Sequence, residues 1–116
     1  MPNVILYHNP RCSKSRETLA LLRKRGVEPT IIEYLTHPLS ATTLKTIIKQ
    51  LGIKPRDLLR TKETAYQSLG LDDASLSDAN IIEALVKNPI LIERPIVVAG
   101  SRAVIGRPPE NVLGII

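Results

Sequence analysis

Aromatic residues are nearly missing from this chain, which has three tyrosines and neither phenylalanine nor tryptophan. Proteins that hold single-stranded nucleic acid interleave stacking aromatics with basic residues, and that pattern is absent here. The net charge of +5 is spread along the chain rather than packed into one run. A small anionic substrate accounts for it at least as well as a polynucleotide does. Charge alone does not choose between them, but the scarcity of stacking residues makes no nucleic acid partner the expectation. No apolar run approaches the roughly 20 residues of a membrane span. The N-terminus has no hydrophobic core or cleavage site of an export signal. No membrane association and a cytoplasmic location are therefore expected. The single cysteine excludes an internal disulfide, and the absence of a disulfide framework fits a reducing compartment. Two histidines and one cysteine do not have zinc-ligand spacing, so no metal is expected. At 116 residues the chain reads as one domain, 1–116, able to build a core without staples.

What is present centres on Tyr7-His8-Asn9-Pro10-Arg11-Cys12-Ser13-Lys14-Ser15-Arg16. An apolar run, Val4-Ile5-Leu6-Tyr7, precedes it and reads as a strand, and a helical pattern through Leu19 and Leu22 follows. The cysteine thus falls in a strand-to-helix loop, at or just before a helix N-terminus. Unpaired backbone N–H groups and the helix dipole favour an anion there. Arg11, Lys14 and Arg16 add positive charge, and Ser13 and Ser15 can donate hydrogen bonds. Each feature favours a thiolate over a thiol, which makes Cys12 a candidate nucleophile. A buried, inert thiol is the alternative, and the polar, basic loop argues against it.

Residues 4–34 read as a β-α-β unit, with a helix from about Ser13 to Arg25 closed by Gly26 and a second strand at Thr30–Tyr34. About 40–88 is helical. Ser40 is a natural N-cap, and Leu44, Ile47, Ile48 and Leu51 follow helical spacing before Gly52. Pro55 suits the first position of a short helix, Thr61 caps another that ends at Gly70, and Ser77 or Asp78 starts a fourth that ends at Asn88-Pro89. Ile96–Ala99 and Ala103–Ile105 flank Gly100-Ser101-Arg102, a hairpin signal, and Pro108-Pro109 opens a short terminal helix. This order is that of an α/β thioredoxin-like fold, with a mixed four-stranded sheet and a helical insertion between the second and third strands.

Three arginines stand at chain-reversal points: Arg60, Arg94 before Pro95, and Arg107 before Pro108. A guanidinium fork suits a tetrahedral oxyanion, while each arginine taken alone reads equally well as a solvated surface residue. His8, four residues before Cys12, fits either a general acid–base or a residue that caps the loop, and His37 a surface position. By fold-level analogy, Arg94-Pro95 is where a cis-proline would face the cysteine loop.

His8 through Arg16, Arg60-Thr61-Lys62-Glu63, Arg94-Pro95 and Gly106-Arg107-Pro108 together resemble the glutaredoxin-linked arsenate reductase family, in order over nearly the whole chain. The resemblance implies Cys12 as nucleophile, Arg60, Arg94 and Arg107 as oxyanion ligands, and His8 in support of the cysteine, with Ser15 counted among the substrate-binding residues. It implies attack of the thiolate on arsenate to give a covalent adduct. Glutathione then serves as co-substrate, glutaredoxin as the partner that resolves the mixed disulfide, arsenite as product, and no cofactor is bound. The chain ends nine residues after Arg107 and so looks like the family's shorter branch. The same fold includes a monothiol exchange alternative and Spx-type regulators, which bind RNA polymerase and typically carry a C-x-x-C switch. Ser15 in the second position excludes an internal disulfide switch.

Overall fold

The computed structural model describes residues 3–116. Two compact units are distinguished, one made of the segments up to His37 and from Arg94 to Ile116, the other of Pro38–Glu93.

The first unit holds all four strands, β1 (Val4–Tyr7), β2 (Thr30–Ile32), β3 (Ile96–Ala99) and β4 (Arg102–Ile105), in the order β2-β1-β3-β4. β1 pairs parallel with β2, Leu6 opposite Ile31, because helix α1 (Ser13–Lys24) carries the chain back before β2 begins. β1 and β3 are antiparallel, as are β3 and β4. The sheet is therefore mixed and the arrangement thioredoxin-like, as the order of elements implied.

Side chains alternate across the pleat, so Val4 and Leu6 share a face. They are buried with Val97 and Ala99, with Leu22 of α1, and with Val112 of the 3-10 helix Pro109–Gly114. The inward stripe of α1, Ser15, Thr18 and Leu22, has i, i+3, i+7 spacing, and its first two members are polar. That departure from an apolar stripe marks the end of the helix where the chemistry sits. Arg23 and Lys24 occupy the last turn, and Gly26 follows with φ 79°.

Two boundaries differ from expectation. The second strand stops at Ile32, and Glu33 opens a turn in which its carbonyl accepts from the N–H groups of Thr36 and His37. Buried Tyr34 therefore lies in the turn. Arg102, expected in the hairpin loop, pairs with Ala99 instead, since Gly100 at φ 63° lets two residues reverse the chain.

The second unit contains α2 (Ala41–Leu51), α3 (Thr64–Ser68) and α4 (Asp78–Lys87), with 3-10 turns at Pro55–Leu58 and Pro89–Leu91. Ser40 caps α2 by accepting from the Thr43 N–H, and Gly52 ends it in the left-handed region. Ser77 and Asn80 form a reciprocal capping box on α4. Its buried apolar residues include Leu44, Ile47 and Ile48 of α2, Ile81, Ile82 and Leu85 of α4, and Leu58 and Leu91 of the 3-10 turns. The third helix starts at Thr64 rather than after Thr61, with Glu63 in the N-cap position. No helix among the described residues is long and apolar enough to cross a membrane.

Candidate active site

The loop between β1 and α1 is built from its own polar groups. The His8 N–H donates to Ile32 O at 2.8 Å, which extends the parallel pairing one residue past the strand. Asn9 is buried; its carbonyl accepts from the Cys12 N–H at 3.0 Å, and its side-chain Oδ1 accepts from the Arg11 N–H at 3.0 Å. This double bracket folds Pro10 and Arg11 into a tight turn. The exposed Arg16 closes over it, with Nη1 donating to Pro10 O.

Cys12 comes out of that turn as the N-cap residue of α1, with extended backbone (φ −91°, ψ 123°), and its carbonyl accepts the first helical bond from Arg16. The residue is buried, 8 % exposed, with polar and charged groups rather than hydrocarbon alone around the sulfur. Burial raises the thiol's pKa, and this is the largest single effect. The Ser15 N–H, the Arg94 guanidinium and the Lys14 N–H together outweigh it, so the pKa lies below its ordinary value. The sulfur does not close a capping hydrogen bond of standard geometry with the helix N-terminus.

Both arginines that bracket β3 and β4 reach the cysteine. Arg107 Nη2 lies 3.6 Å from Cys12 Sγ, and its Nε donates to Arg94 O at 2.7 Å. The Arg107 side chain is thus anchored on the backbone that carries Arg94. Both X-Pro bonds, Arg94-Pro95 and Arg107-Pro108, are cis; the first was the expected position, and the second was not anticipated.

Arg60 belongs to the second unit, where its guanidinium is 2.7 Å from Glu93 and 3.3 Å from Glu63. Its fork is shared between two carboxylates rather than presented bare.

His8 is buried, and its Nδ1 lies 2.7 Å from Ser15 Oγ; no hydrogen bond joins it to the sulfur. Burial lowers its pKa, Glu33 opposes that, and Arg16 and Arg23 add to the lowering, so the ring is neutral at pH 7. Ser15 Oγ also accepts from the Asn9 N–H at 3.1 Å, so one hydroxyl ties His8 and Asn9 together. The Ser15 side chain is fully enclosed, so what it offers the thiol is its main-chain N–H, with its hydroxyl turned to the loop. His37 is exposed and meets Thr36 Oγ1.

A groove of about 360 Å³, lined by His8, Asn9, Pro10, Arg11, Glu33, Leu35 and Thr36, runs beside the loop. A larger one runs along the Lys14, Glu17 and Lys24 face of α1, and Cys12 lines neither groove. Among the described residues no cluster of His, Cys, Asp and Glu side chains could hold a metal.

Sequence reasoning did not single out Asn9, although an Asn-Pro pair ahead of a helix is a turn signal. A thiol biased to its anion, with two guanidinium groups around it, can attack an electrophilic centre and neutralise charge on that centre's oxygens.

Comparison with known proteins agrees with this chemistry. The sequence model of the ArsC family matches residues 7–115. The chain is 56% identical over 114 residues to the uncharacterized protein YfgD of Escherichia coli K12, with 97% of this chain and 96% of that one covered. It is 52% identical over 115 residues to an arsenate reductase of Haemophilus influenzae, covering 98% and 99% of the two chains. The solved structure of an arsenate reductase from Vibrio cholerae superposes with a TM-score of 0.97 at 49% identity, covering 99% of this chain and 98% of that one.

Proposed function

The chain belongs to the ArsC family, and we propose from this that it reduces arsenate to arsenite, with Cys12 as the nucleophile. The observation that carries the proposal is the guanidinium of Arg107 at 3.6 Å from a sulfur whose pKa is lowered. An arsenate oxygen seated beside that sulfur would meet the forks of Arg94 and Arg107. The names of the Haemophilus and Vibrio relatives supply the substrate.

The Cys12 thiolate attacks arsenic(V); a sulfur–arsenic bond forms and one arsenate oxygen leaves as water. Arg94 and Arg107 neutralise the oxygens that remain. Reduction needs two electrons, and the chain has one thiol. Glutathione supplies the second sulfur. As the sulfur–arsenic bond breaks, arsenic takes up the electron pair and leaves as arsenite, and Cys12 and glutathione are joined as a mixed disulfide. The thiolate of glutaredoxin then attacks the glutathione sulfur and frees Cys12. The scheme uses no bound cofactor, and its free thiol suits a cytoplasmic setting. Ser15 holds the loop and lends the thiolate its N–H, and neutral His8 supports Ser15. Arg60 contributes less than the other two arginines, because two carboxylates compete for it.

The test is arsenate-dependent NADPH oxidation coupled through glutathione, glutaredoxin and glutathione reductase. Turnover that vanishes in Cys12→Ser is expected. Folded protein without arsenate-dependent turnover, or turnover retained in Cys12→Ser, would overturn the proposal.

A further inference from the structure

We infer that Gly106 is a positioning residue: its missing side chain lets the end of β4 close onto α1 and Pro95, and this closeness sets the reach of Arg107 and Arg94 to the Cys12 sulfur. The inference rests on the reading of Cys12 as nucleophile, but its first test needs no arsenate.

Gly106 is buried, and its N–H donates to Pro95 O at 2.9 Å. It is not among the glycines with positive φ, so backbone conformation does not demand glycine at this position. Space does. A Cβ at 106 would lie 2.6 Å from Thr18 Oγ1, 2.8 Å from Pro95 Cγ and 3.3 Å from Thr18 Cγ2, and the first two are shorter than real carbon contacts.

Each neighbour is tied to a working group. Thr18 is fully buried, and its Oγ1 donates to Lys14 O at 2.8 Å, in the turn of α1 whose N–H groups face the sulfur. Pro95 directly follows Arg94, and Gly106 directly precedes Arg107. Three elements that carry Cys12, Arg94 and Arg107 therefore meet where Gly106 leaves room for the side chains of Thr18 and Pro95. An added methyl must displace the Thr18 side chain or the Pro95 ring, which pack between β4 and α1 in a close-packed interior. The 3.6 Å approach of Arg107 Nη2 to Sγ is a hydrogen-bond distance for sulfur, and retreat of the strand end that carries Arg107 would lengthen it.

Gly106→Ala should therefore raise the pH midpoint of Cys12 alkylation by roughly half a unit or more, as expected when a charge partner is moved away. It should also raise the KM for arsenate about tenfold with a smaller change in kcat, the signature of lost oxyanion binding. Adding Thr18→Ala, which removes the nearest obstructing atoms, should restore much of both. Thr18→Val, which removes the Oγ1 hydrogen bond to Lys14 O in the turn that faces the sulfur, should shift the midpoint in the same direction as Gly106→Ala. It serves as the probe if the alanine variant does not fold. Folded Gly106→Ala or Thr18→Val protein with the wild-type midpoint overturns the inference, as does a midpoint shift in Gly106→Ala that the second substitution leaves untouched. Absence of arsenate turnover in the wild type would count against the proposed function and leave the alkylation test intact.

Discussion

At Cys12 the enclosure of the sulfur opposes its ionisation, while two backbone dipoles and a guanidinium promote it. The balance lowers the thiol's pKa, so the reactive form accumulates as pH rises through a midpoint below the ordinary cysteine value. Arg107→Ala removes a charged partner at 3.6 Å. It should lower kcat/KM for arsenate by about ten- to a hundredfold, the usual size of a hydrogen bond to a charged group. Steady-state kinetics in the coupled assay would read it, and Arg60→Ala should cost less. Ser15→Ala leaves the main-chain N–H in place but strips His8 and the Asn9 N–H of a buried partner. Denaturant unfolding should show a loss of about 1–3 kcal/mol. The thiol midpoint should also rise, because the loop that aligns the Lys14 and Ser15 N–H groups is slackened. Cys12 stood out in the sequence because one cysteine, a flanking strand and helix, and three basic residues are all local information. Gly106 stood out only as part of the Gly106-Arg107-Pro108 motif, because its contacts are with Thr18 and Pro95, neither of which is near it in the chain.

Helix α1 connects the site to the core. Its first turn faces the sulfur, and two turns on Leu22 is fully buried among Val4, Leu6, Val97 and Val112. Leu22→Ala should destabilise the protein by about 2–5 kcal/mol, measured by equilibrium unfolding. In the second unit, Ser77→Ala removes one half of a capping box and should cost about 1 kcal/mol by the same method. Helix starts and stops were readable where a side chain or a glycine does the capping, as at Ser40, Gly52 and Ser77. They were misread where geometry beyond the segment decides. Thr61 looked like a cap, yet the Glu63 N–H donates to Arg60 O and the helix begins only at Thr64. Tyr34 looked like a strand residue, yet the turn opened by Glu33 takes it.

Across the whole chain, the +5 charge favours anionic substrates. A substrate steered partly by that field should show a KM for arsenate that rises with ionic strength, as screening shortens to about 8 Å at physiological salt. Titrating salt in the coupled assay would read this, and a flat KM would assign recognition to the short-range arginine contacts alone. The order of elements was legible where an apolar run or helical spacing is local, as in β1, β3, α2 and α4, whereas α3 buries no residue and was placed only by its flanking turns. The second cis bond, at Arg107-Pro108, had no local signal. The central claim is that a single sulfur is held as an anion beside Arg107. The most direct measurement is the rate of Cys12 alkylation by iodoacetamide against pH, in the wild type and in Arg107→Ala. A wild-type midpoint clearly below about 8.5 that moves toward that value in the variant is expected. A wild-type midpoint at or above it would contradict the account.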